Sequence, residues 1–227
     1  MMKLLKNEDA FTGLEAAIVL IAFIVVAAVF SYVMLGAGFF ATQEAQRTVH
    51  TGSQQASSSL EIIGSVYGMN DNAGKVGEEH LQHLQYIEFT IGNTAGGTPI
   101  DVTQMLVTFV CGDKAEVIPF SELKSITGIG KTAGSADEKA AREAIKDAPG
   151  ADGRWGVVMT YNDVGDEALP RNKLLEPGEQ FVLMVAFPDG AELTPNTRFS
   201  VNLQPAVGAA FPIKKTVPST LYAVNII

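Results

Sequence analysis

The chain has 227 residues, 47% of them apolar, enough for one domain with a real core plus an additional element. Its 16 Lys and Arg against 25 Asp and Glu leave a net charge of −9, which argues against a nucleic-acid backbone as partner, since that needs a basic face. Cys111 is the single cysteine, so an intrachain disulfide is excluded and an exported domain must be held by packing alone.

The first ten residues carry Lys3 and Lys6, balanced by Glu8 and Asp9. From Leu14 to Phe40 the sequence is apolar, and Glu15 is its one charged side chain. Such a run makes roughly 40 Å of helix at 1.5 Å per residue, and a bilayer core needs about 20 residues. A secretory signal peptide has an apolar region of only about 7–15 residues, although "GAGF" supplies a small-residue site after Gly38. A plain membrane anchor, N-terminus inside by virtue of Lys3 and Lys6, accounts for the run but not for Glu15. A carboxylate costs about 2.5–3.5 kcal/mol at the centre of a membrane helix, and less near an end.

The residues before the run supply a third reading. "KNEDAFTGLEAAIVLIAF" resembles the leader, or class III signal peptide, of type IV pilin-like subunits in their archaeal form. The resemblance implies that a prepilin-type signal peptidase recognises Asp9 and Ala10 and cuts before Phe11. The apolar helix is then kept. Gly13 becomes the third mature residue, as in archaeal flagellins (archaellins). Glu15 becomes the fifth, where type IV pilins carry a glutamate. Many archaellins have an uncharged residue there, so the chain mixes both signatures.

Cleavage would give Glu15 a physical role. It creates an α-ammonium on Phe11, with an ordinary pKa near 7.7–8.0. Glu15 lies in the first turn of the new helix, where unpaired N–H groups favour negative charge. It can pair with an ammonium, its own or a neighbour's, and each charge then lowers the burial cost of the other. By resemblance to pilins the neighbour's ammonium is the partner.

After Ala41, apolar residues Val49, Ala56, Leu60, Ile63 and Tyr67 recur at helical spacing. This predicts a helix from about Thr12 to Gly64, roughly 80 Å long. Its first half is apolar on every face and must be buried on every face. Lipid can do that for a precursor; many copies of the same helix can do it for a soluble product.

From Leu81 the pattern becomes period two. Strands are predicted over 84–91, 104–110, 115–120, 155–161, 180–187, 198–205, 207–215 and 221–226, separated by Gly, Pro, Asn and Asp clusters. Short strands of this kind give an antiparallel sandwich. "SADEKAAREAIKDAPG" interrupts them. Ser135 and Glu138 form a capping box, and Pro149-Gly150 ends a short helix read as an exposed insertion. "LLEPGEQFVLMVAFP" and the strands leading to Thr216-Val217-Pro218 resemble the archaellin C-terminal domain. The resemblance covers about the first 60 and the last 50 residues. Asn70 to Arg154 match no family pattern.

Other motifs carry less. "GIGKTAGS", residues 128–135, lacks the first glycine of a phosphate loop, because Ser125 stands in its place. Glu78, Glu79, His80 and His83 have helical metal-ligand spacing without a further convergent ligand. The oxygen-rich turns Met69 to Gly74 and Asn162 to Glu167 do not match an EF-hand, and whether they bind a cation stays open. No nucleophile or paired-carboxylate pattern for catalysis stands out.

The expected protein is α+β: a long N-terminal hydrophobic helix followed by an antiparallel immunoglobulin-like β-sandwich with a short inserted helix. Its expected parts are a cleaved leader over 1–10, a filament-core helix over 11–66, a linker over 67–80 and an outer sandwich over 81–227. The resemblance implies a non-enzymatic archaellin that needs no cofactor or metal. It would polymerise through its N-terminal helix into an extracellular motility filament, the archaellum, from a single-pass membrane precursor. Its partners would be further copies or other archaellins, the signal peptidase, and the archaellum assembly and motor machinery. An archaeal adhesion pilin and a single-pass membrane-anchored β-domain binding protein are the alternatives.

Overall fold

The computed structural model describes residues 5–57, 59–70, 83–94, 97–121, 136–146, 153–162, 172–188, 190–191 and 193–227, with helical side chains from 13 to 55 and from 138 to 146. The chain forms two compact units, Met1–Gly52 and Ser53–Ile227.

Helix α1 spans Leu5–Ser57, 53 residues. No proline interrupts it, and it gives way at a run of serines. The helix expected to reach residue 64 to 66 therefore stops earlier. Residues Leu60–Met69 are instead strand β1. Leu60, Ile63 and Tyr67 fit a helical stripe, but the same segment buries Leu60, Val66 and Gly68 in a sheet. Gly64 decides the matter locally. Its φ of +83° is left-handed, and it sits in a bulge where the pairing shifts between Ile63 and Tyr67. The sandwich thus begins near residue 60, not 81. The segment read as the end of the helix and the start of a linker is a strand.

The remaining elements are β2 (Tyr86–Asn93), β3 (Ile100–Asp101), β4 (Leu106–Cys111), β5 (Lys114–Ile118), α2 (Ala136–Lys146), β6 (Arg154–Tyr161), β7 (Leu174–Leu175), β8 (Gln180–Ala186), β9 (Arg198–Gln204), β10 (Phe211–Thr216) and β11 (Val224–Ile226). Strands β2, β4, β5, β6, β8, β9, β10 and β11 overlap the eight predicted ones. Besides β1, the two-residue ladder of β3 with β7 had no strand forecast.

The strands form an antiparallel five-stranded sheet, β11-β1-β2-β8-β6, and an antiparallel four-stranded sheet, β10-β9-β4-β5. One core joins them. Ile87, Phe89, Leu183, Val185 and Trp155 from the first sheet share it with Val107, Phe109, Val201, Leu203 and Ile213 from the second. Phe109, Phe187 and Phe199 form a ring cluster, with centroids 4.8 Å apart for Phe109–Phe187 and 5.7 Å for Phe187–Phe199. The last strand, β11, lies beside the first, β1. Buried Asn225 fixes it there by donating to the carbonyls of Gly68 at 3.2 Å and Tyr222 at 2.7 Å.

The two sheets differ on their outer faces. The four-stranded sheet alternates, with Val107 and Phe109 buried and Leu106 exposed. That is the pattern of a sheet with one wet side. Strands β6 and β8 are buried at nearly every position, because α2 packs on their other side. Helix α2, read as an exposed insertion, in fact buries Ala141 and Ile145. Arg142 clips it down by ion pairs to Glu88 of β2 and to Glu138 at 2.8 Å. Burial works to lower the Arg142 pKa, but the hydrogen bonds and charges of Glu88 and Glu138 outweigh it and hold it above its ordinary value. Lys146 adds its ammonium 4.8 Å from the Tyr86 ring centre.

Two substitutions test this packing by thermal unfolding of the full chain in detergent. Arg142→Met removes the cation that pairs with the nearly buried Glu88 and Glu138 and should cost about 3–5 kcal/mol. Removing all three charges at once should cost less than the single change. Gly153→Ala should cost about 1–3 kcal/mol. Its φ is +70°, and an added Cβ would lie 2.5 Å from the Ala186 carbonyl oxygen.

Candidate assembly surface

The candidate surface is α1 itself. At 53 residues the helix is roughly 80 Å long. Between Leu14 and Phe40, 17 large apolar side chains are exposed, among them Phe23 at 73% and Tyr32 at 79%. They lie on every side of the helix. Each stabilises by about 1.5–3 kcal/mol when it leaves water, so the unmet sum runs to tens of kcal/mol. By length and composition the segment can cross a membrane.

Beyond Phe40 α1 turns polar, and three of its hydroxyls are satisfied within the helix. Thr42, Thr48 and Thr51 donate their hydroxyls to the carbonyls of Gly38, Glu44 and Arg47 at 2.7, 2.9 and 2.9 Å. Each needs no partner from outside. Gly13 presents bare backbone, since a Cβ there would meet nothing within 4 Å.

Glu15 lines a shallow groove with Ala16, Val19, Leu20 and Phe23. Glu15, Val19 and Phe23 are four residues apart and share one face. Burying that apolar strip therefore buries the carboxylate. Among the described residues Glu15 has no ion-pair partner. In the sequence Phe11 precedes Glu15 by four residues. Asp9, Ala10 and Phe11 belong to the α1 backbone, and their side chains lie outside the described residues.

Glu78, Glu79, His80 and residues 128–135 lie outside the described residues, as do 71–74 and 163–167 of the two oxygen-rich turns. The described ends of those turns are structural. Asn70 donates to the carbonyl of His83 at 2.7 Å, and Asn162 adopts a left-handed φ of 56°. Among the described residues no three His, Cys, Asp or Glu side chains group to hold a metal. The Arg142, Glu88 and Glu138 triad escaped sequence reading. Its members are 54 residues apart at the widest, and the only local signal was the spacing of four between Glu138 and Arg142.

A model of the archaeal-type flagellin family matches residues 10–215. The chain belongs to this family. It is 35% identical to a probable flagellin 1 of Archaeoglobus fulgidus over 222 residues, 97% of this chain and 95% of that one. Among solved structures it is similar to the archaeal flagellum of Methanospirillum hungatei, with 29% identity and a TM-score of 0.63 over 95% of this chain and 99% of that one. A crystal structure of a flagellin from Methanocaldococcus jannaschii shares the fold at 20% identity, with a TM-score of 0.53 over 74% of this chain and 94% of that one. This flagellin is thus a structural filament subunit, and of the readings its sequence left open, the archaellin one is selected.

Proposed function

We propose that this archaellin polymerises by packing α1 against the α1 helices of further copies, while the sandwich faces outward as the sheath of an extracellular motility filament. One observation carries the reading. A helix with 17 large apolar side chains exposed around it occurs in a filament family. Identical helices supply the covering that water cannot. Heterologous contacts between copies then give an open helical polymer. The chain works by assembly and not by catalysis.

The leader reading fits the same scheme. The precursor is held in the membrane by α1. A prepilin-type signal peptidase recognises Asp9 and Ala10 and cuts before Phe11, with Gly13 just beyond the cut. The assembly and motor machinery then takes over a mature chain that starts with an ammonium on Phe11. Glu15 of a neighbouring copy is its counter-ion.

Two outcomes check the scheme. Terminal sequencing of the exported protein should begin at Phe11, and Ala10→Leu should leave the leader uncut, because the scissile bond needs a small residue. A start at Phe39 or Met1 would overturn the leader reading. Glu15→Gln keeps shape and removes charge. Insertion and cleavage should then be normal, since a neutral side chain is cheaper in lipid. Filament growth should fail or slow strongly, because losing one partner of a buried pair costs about 3–5 kcal/mol at every subunit. Electron microscopy showing Gln-variant filaments of normal length would leave Glu15 a helix-start role worth about 0.3–1 kcal/mol.

A further inference from the structure

The outer, wet face of the four-stranded sheet carries an open groove of about 450 Å³. Strands β9 and β10 build it. Thr216 is paired with Arg198, and Lys214 with Ser200, so all four side chains stand on one face. Val110 of β4 borders the groove beside Ser200. Arg198 and Lys214 are exposed diagonal neighbours. Two like charges so placed repel, and among the described residues neither has an ion-pair partner. Lys215 points its ammonium elsewhere, donating to the carbonyl of Ile227 at 2.7 Å.

This cationic groove sits on an acidic body. Residues 1–57 hold Lys3, Lys6 and Arg47 against Glu8, Asp9, Glu15 and Glu44, which leaves −8 of the net −9 on residues 58–227. Outer domains of that charge repel one another when a filament crowds them. A heterologous contact, in which one surface of a copy meets a different surface of the next, removes the repulsion only if it brings opposite charges together. We propose that the Arg198–Lys214 groove is a lateral docking surface for carboxylates on the outer domain of a second copy of this chain. Thr216 adds a hydroxyl donor to the same carboxylates. The contact is screened by salt, as exposed pairs are.

The proposal rests on the filament reading, and the test separates the two. Isolated filaments and detergent-dissociated subunits are treated with a small amine-acetylating reagent. Labelling of Lys214 is read by mass spectrometry, with exposed Lys139 of α2 as the internal reference. In filaments at low salt, Lys214 should label roughly tenfold more slowly than in subunits, and about 1 M NaCl should restore most of its reactivity. Carbodiimide treatment of low-salt filaments should give covalent dimers whose joining peptide contains Lys214. Arg198→Glu should raise Lys214 labelling in filaments several-fold and reduce those dimers. Equal labelling in both states overturns the groove assignment, as does protection unmoved by salt and by Arg198→Glu. Failure to obtain filaments from the unaltered chain would instead overturn the filament reading.

Discussion

A helix that is apolar on every face has no stable place in water, and this constraint governs the whole molecule. Amphipathic helices settle by turning one side to a core, but α1 has no side to turn outward between Leu14 and Phe40. It can rest in lipid or among its own kind. The rest of the chain is organised so that it does not depend on which. The sandwich has its own core, built from both sheets, and is closed by its last strand lying beside its first.

That independence has a cost met entirely by packing. With one cysteine and no disulfide, the domain stabilises itself by burying β6 and β8 on both faces. Helix α2 is what makes the second face an interior. Its own residues are largely charged, and the Arg142, Glu88 and Glu138 triad lets a charged element sit on an apolar sheet without leaving a buried charge alone. Breaking such a group is costlier than never having built it, which gives the triad more weight in holding α2 in place than in net stability.

Much of this was legible in the sequence. The uncharged run announced α1, and period-two runs located eight strands. Gly13 and Glu15 were singled out by their places just after the leader that a family resemblance implies, and the family match bears on the family rather than on those two residues. The failures have definite physical causes. Strand β1 was read as helix because Leu60, Ile63 and Tyr67 satisfy a helical period, and strand partners far along the chain overrode it. Ile62, Ile63 and Val66 beside Gly64 were the signal that favoured a strand. The docking of α2 was missed because its anchor, Glu88, lies on a strand 54 residues before Arg142. No local pattern joins two residues that meet only after folding.

The uniformity of α1 has a consequence of another kind. Two smooth apolar helices attract each other almost equally well at many axial offsets, so burial by itself sets how strongly they associate and not how far one has slid along the other. A lone polar group in such a seam is the best-attested device for fixing alignment. Glu15 is the only charge between Asp9 and Glu44, and it lies at one end of the apolar zone. In the proposed filament it would mark the helix like the zero on a ruler: every offset but one would leave it facing hydrocarbon. A single carboxylate can in this way set the axial rise of a polymer whose cohesion it hardly increases.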